Sequence, residues 1–143
     1  MSAQRRNWSN WVVGVAAVTV GVTIAHVLED FVYGVPGDFG VEVAPAAALL
    51  GVAYALHILL IALAARNHPL GYLGNLVYGV GWVLAAGLDH LDDVLFESHY
   101  RAGLISKAFE VGIMVSALAL AVVSYAAWRS RWNAEDESNR ATG

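Results

Sequence analysis

The 143-residue chain contains no cysteine, which excludes disulfides, thiolate metal sites and thiol catalysis. Charge is scarce too: 14% of residues are charged, against about 25% in soluble domains. The few lysines and arginines form no basic cluster with interleaved aromatics, so nucleic acid is excluded as a partner. No Gly-x-Ser-x-Gly elbow and no His-Glu-x-x-His motif occurs. The glycines are scattered through apolar runs rather than gathered into a phosphate-cradling loop. Enzymatic chemistry, if there is any, would have to work through a bound metal.

Length is what the apolar runs do have. Hydrophobic residues make up 58% of the chain, above the roughly 45–50% of soluble domains. A spanning helix needs about 20 mostly apolar residues. Four such segments are predicted, at 12–33, 46–65, 70–91 and 103–128. Turn-forming residues separate them: Pro36-Gly37-Asp38 through Pro45, then Arg66-Asn67-His68-Pro69. The expected fold is an all-α integral membrane protein, four transmembrane helices packed as an antiparallel bundle with a polar interior. Residues 1–132 form one domain, and 133–143, with Glu135-Asp136-Glu137, form a polar, disordered cytoplasmic tail. Arg5-Arg6 before an apolar run has the outline of a signal peptide. No small-x-small cleavage site follows, so the first segment is expected to remain as a span.

Basic residues set the orientation. With the N-terminus inside, Arg5, Arg6, Arg66, Arg129, Arg131 and Arg140 lie on the cytoplasmic side, and only Arg101 and Lys107 lie outside. Both termini are therefore expected in the cytoplasm of a multi-pass protein of the cell membrane. Trp8, Trp11, Trp128 and Trp132 fall at the inner interface, and Phe31, Tyr33, Phe96 and Tyr100 at the outer one. The acids other than Glu135, Asp136 and Glu137 gather toward the outer side.

Ionisable groups within a bilayer cost several kcal/mol each, so they face a bundle interior or water and raise a functional hypothesis. In the first span Thr19, Thr23, His26, Asp30 and Tyr33 follow helical spacing, with Glu29 three residues after His26. In the third, Asn75, Tyr78, Trp82, Asp89 and Asp93 lie on a similar seam, with His90 beside it. The fourth places Ser106, Glu110 and Ser124 on one face, with Ser116 off it. The second offers only Tyr54 and His57. At a rise of about 1.5 Å per residue, His26 and Glu110 sit roughly 10 Å below the outer helix ends and His57 roughly 16 Å deep. Small residues recur every four at Ala17, Gly21 and Ala25, and at Ala47, Gly51 and Ala55, a spacing that permits close helix approach.

Histidine with a carboxylate three residues on gives two ligands on one helical face. His26 with Glu29 and His90 with Asp93 provide this pair twice, and Glu110 adds a carboxylate from a facing helix. Mixed imidazole and carboxylate ligands suit a divalent transition metal such as zinc, iron or manganese. The expected function is a small polytopic membrane protein whose His/carboxylate cluster near the outer face binds a cation, a divalent metal first among them. Its ligands would be His26, Glu29, His90, Asp93 and Glu110. His57, Asp30 and Asp89 form a second tier of proton-relay or ligand groups.

Other readings use the same residues. An accessory or scaffold subunit would need these polar groups only to join helices. Proton or cation transport would use the acid and histidine chain, but no acid lies in the inner half below His57. A bis-histidine haem on His26 and His90 is a weaker fit, because the crowding carboxylates suit an apolar porphyrin badly. The partners expected are the lipid bilayer and a second copy of the chain or a larger membrane complex.

Overall fold

The computed structural model describes residues 3–96 and 103–142, without the side chains at 3–6, 89–93, 134–139 and 141–142. Among the described residues the chain forms α1 (Ala3–Tyr33), α2 (Val35–Asp38), α3 (Val43–Ala65), α4 (Pro69–Phe96) and α5 (Leu104–Thr142). Four of these contain stretches long and apolar enough to cross a membrane: Asn7–Tyr33, Val43–Ala65, Pro69–Leu88 and Leu104–Asn133. They correspond to the four expected spans. The third stretch ends at Leu88, just before the acids that begin at Asp89, although the helix itself runs on to Phe96. The fold is a helical bundle of the membrane type.

α1 and α5 bury the seams their sequences mark, whereas on α4 Asn75 is buried and Tyr78 and Trp82 are half-buried. On α1 the buried residues are Ser9, Val12, Ala16, Thr19, Thr23 and His26, a three-four alternation that keeps one face inward. On α5 the seam is Ser106, Glu110, Ile113, Ala117, Leu120, Ser124 and Ala127. Ser116, expected to point away, is buried as well and donates to the Ile113 carbonyl at 3.3 Å. A hydroxyl back-bonded within its own helix can sit near a seam without a partner on another helix. α3 differs from the rest. Only His57 and Ala64 are buried on it, while Leu49, Val52, Leu56 and Leu59 face outward. A helix apolar all round suits a lipid surround.

The expected close-approach glycines are not the ones the fold uses. A Cβ on Gly21 or Gly51 would meet nothing within 4 Å, and their neighbours Ala17, Ala47 and Ala55 are exposed. The close contacts fall at Gly71, where a Cβ would lie 2.2 Å from the Ala64 backbone nitrogen, and at Gly79, 2.8 Å from the Ala117 carbonyl oxygen. A small-residue repeat specifies approach only if its face meets another helix, and these two repeats lie on outward faces.

The α3–α4 hairpin is set by Asn67. Its φ of 56° places it in the left-handed region, which asparagine tolerates better than other side-chain-bearing residues. The His68 N–H bonds to the Leu63 carbonyl and the Asn67 N–H to that of Ala64, both at 2.9 Å. This is a Schellman cap, and Pro69 then starts α4. Tyr72 Oη donates to Asn67 Oδ1 at 2.8 Å, Arg131 of α5 donates to the Asn67 carbonyl, and Ser9 Oγ of α1 donates to the Ala64 carbonyl at 2.8 Å. All four long helices thus converge on one turn.

The stretch from 133, read from its charges as a disordered tail, is helical through Thr142. Propagating an existing helix requires no new nucleus, and alanine, glutamate and arginine have good helix propensity.

Candidate functional site

Two groups of buried polar side chains stand out, one near the C-terminal end of α1 and one at the middle of α3. The first group centres on His26 of α1. Its Nδ1 lies 3.8 Å from Glu29 Oε2 and its Nε2 lies 3.4 Å from Asp30 Oδ2. The one-turn spacings of three and four bring both carboxylates to the same imidazole. Ser106 Oγ of α5 donates to Glu29 Oε1, tying the group across two helices. Glu29 Oε2 is buried, accepts no hydrogen bond and faces His26. Glu110, also buried, stands one helical turn from Ser106 on the same α5 face. Two carboxylates therefore flank one imidazole here, and Glu110 and the part-buried Lys107 lie on the stretch of α5 that carries Ser106.

Of the eight residues singled out from the sequence, the structure brings His26, Glu29 and Asp30 into contact and buries Glu110 on the helix that joins them. The side chains of Asp89, His90 and Asp93 lie outside the described residues. Among the described residues no three histidine, aspartate or glutamate side chains stand where they could hold a metal ion together.

Beside His26 and Asp30 opens a cavity of about 360 Å³. Every helix contributes to its wall, as His26, Val35, Leu50, Trp82 and Ile113 illustrate. The wall is otherwise aliphatic and aromatic, and among the described residues its ionisable side chains are His26 and Asp30 alone. α2 and the following linker close one side of it through Pro36 and Phe39. They can double back because Gly34 and Gly40 take φ values of 79° and 69°, which a Cβ disfavours. Sequence reasoning missed this cavity; its one signal was the Gly-Val-Pro-Gly-Asp segment, which read only as a separator.

The second group is built on His57, which is fully buried. Its Nε2 lies 3.1 Å from Asn75 Oδ1 on α4, and its ring stacks on Tyr78 at 3.6 Å between centroids and 23° between planes. Asn75 Nδ2 donates to the Gly71 carbonyl at 2.7 Å, which turns the amide oxygen toward His57. The neutral ring accordingly carries its proton on Nε2, and Nδ1 is a buried acceptor without a hydrogen bond. Tyr78 in turn lies 6.3 Å from Trp82, on the cavity wall. Two threonine hydroxyls of α1 bond back to their own helix. Thr19 donates to the Val15 carbonyl at 3.0 Å and Thr23 to that of Thr19 at 2.8 Å.

The chain matches no protein-family model, no curated protein and no solved structure. The geometry of these two groups therefore carries the functional reading.

Proposed function

We propose that this chain is a cation-binding integral membrane protein whose site is the His26, Glu29, Asp30 and Glu110 cluster in the outer half of an antiparallel bundle. Both termini lie in the cytoplasm, and the protein resides in the cell membrane. The antiparallel arrangement is supported by paired contacts between α1 and α5. Glu29 meets Ser106, and Val22 would meet a Cβ on Gly112. Numbering rises along one helix as it falls along the other, which sets Glu110 near the level of His26. Buried Thr19, Thr23, Asn75 and Ser124 support a polar interior.

The observation that carries the cation reading is the placement of Glu29 and Asp30 on the two nitrogens of one buried histidine. Glu29 Oε2 is buried without a hydrogen bond, and positive charge offsets the cost of taking a carboxylate out of water, so a bound cation would stabilise the site.

The test is equilibrium dialysis of nanodisc-embedded protein, purified without chelators, against Mn²⁺ and against tetramethylammonium. One of these should bind at one per chain, and Glu29→Gln should weaken it at least about tenfold, the loss of roughly 1.4 kcal/mol. If neither binds and Glu29→Gln merely lowers thermal stability, the cluster is a helix-joining device in a scaffold subunit.

A further inference from the structure

The cavity beside His26 and Asp30 enters the bundle from its side. Phe39 and Leu49 on its wall are 70% and 72% exposed, whereas Ile113 on the same wall is fully buried. Leu49 begins the outward row of α3 that continues through Val52, Leu56 and Leu59, the face that suits a lipid surround. The rim is therefore continuous with surface offered to hydrocarbon. The wall takes residues 26–31 of α1, 46–50 of α3 and 82–86 of α4, each between one and two helical turns, or roughly 6–8 Å. A slot that low, reaching from the rim to α5, suits an extended chain better than a bulky ring system.

The charges on the wall are engaged with each other. His26 Nε2 lies 3.4 Å from Asp30 Oδ2, and Nδ1 of the same ring faces Glu29 at 3.8 Å. Both His26 and Asp30 have interactions within the protein beyond these as well. An occupant with a charged head would compete with those partners, and a neutral one leaves them in place. The remaining wall, as at Val27, Phe31, Leu50 and Trp82, gains from van der Waals contact with hydrocarbon, the interaction that drives packing inside a bilayer. An empty apolar cavity costs in proportion to its volume. At about 360 Å³ this one is large enough for that cost to favour an occupant, within the roughly 300–1,000 Å³ of small-molecule sites.

We propose that the cavity holds one hydrocarbon chain of a bilayer lipid, which enters past Phe39 and Leu49 and ends against Ala86 and Ile113. The headgroup stays outside the bundle. This assignment stands apart from the cation reading, because a chain in the cavity needs no free carboxylate.

The probe is a phosphatidylcholine with a diazirine at the end of one acyl chain, in nanodiscs around the full-length protein. After illumination, mass spectrometry locates the labelled residues. Ala86 and Ile113 should carry label although both are buried, alongside Leu56 and Leu59 on the outward face. Leu50→Trp, which fills the cavity from α3, should lower the label at Ala86 and Ile113 about tenfold, equivalent to roughly 1.4 kcal/mol of binding, and leave Leu56 and Leu59 unchanged. Label confined to outward residues of the unsubstituted protein overturns the proposal without relying on any variant. So does label at Ile113 that Leu50→Trp leaves unaltered. If Phe39 and Leu49 instead crosslink to a second copy of the chain and take up no lipid label, a neighbouring protomer occupies the cavity and the lipid assignment fails.

Discussion

His57 and Asn75 hold each other across the α3–α4 interface, with Nε2 of one 3.1 Å from Oδ1 of the other and both side chains fully buried. α3 has little else to fix its register, since Ala64 is its one other buried residue. Substituting one partner strands the other. Asn75→Leu should destabilise the protein by about 1–3 kcal/mol, the cost of leaving a buried polar group unsatisfied. The double variant His57→Phe/Asn75→Leu should recover much of that loss, because two apolar groups of similar shape need no hydrogen bond and the ring can still stack on Tyr78. Reversible unfolding in mixed micelles gives the coupling as a double-mutant cycle. Additive losses would show that the pair does not act as a unit.

Glycine substitutions separate helix contacts from outward faces. At Gly71 a Cβ would sit 2.2 Å from the Ala64 nitrogen and 2.6 Å from the Leu63 carbonyl carbon, both rigid backbone. Gly71→Ala should therefore cost at least the roughly 1–3 kcal/mol of an overpacked core, and Gly79→Ala should behave alike. Gly21→Ala and Gly51→Ala meet nothing within 4 Å and should be neutral or slightly stabilising, as alanine is the better helix former. The measurement is thermal unfolding followed by circular dichroism.

Asn67 supports its turn in two separable ways. Its left-handed backbone is tolerated by glycine, while its side chain accepts from Tyr72. Asn67→Gly should lose only the hydrogen bond, about 0.5–1.5 kcal/mol, and Tyr72→Phe should lose a similar amount. Asn67→Val adds backbone strain of order 1–3 kcal/mol and should be clearly worse than either. If valine and glycine prove equal, the left-handed conformation is not what holds the hairpin.

Ser106 is the link between the carboxylate cluster and α5. Ser106→Ala would leave Glu29 Oε1 without its donor in a region where only 11% of the Glu29 side chain is exposed. A stability loss of about 1–3 kcal/mol is expected. Ser106→Ala/Glu29→Leu should be less destabilised than Ser106→Ala alone, because the stranded carboxylate is gone. The same unfolding assay applies, and a larger loss in the double variant would show that Glu29 is held by something other than Ser106.

The His26 group was legible in the sequence because it is local. Glu29 and Asp30 reach the same imidazole through helical spacing alone, and the long apolar run around them marks the helix. The seam of α5, with Ser106, Glu110 and Ser124 on one face, was legible for the same reason. Nothing comparable could identify the partner of His57. Asn75 and Tyr78 lie on the next helix, and which residues of α4 meet it depends on how the Asn67 turn sets the hairpin. Gly71 and Gly79 were passed over, although Gly21 and Gly51 carried the better-known spacing.

Composition and periodicity alone determined the four long apolar helices and the polar seams that α1 and α5 turn inward, because a hydrogen-bonded helix in an apolar surround satisfies its own backbone and displays its side chains at a fixed angle per residue. Tertiary structure decided which glycines are contacts, which amide holds His57, and that α2 folds beside His26 and Asp30 to leave a cavity. Those depend on distances between segments far apart in the chain, and no local repeat encodes them.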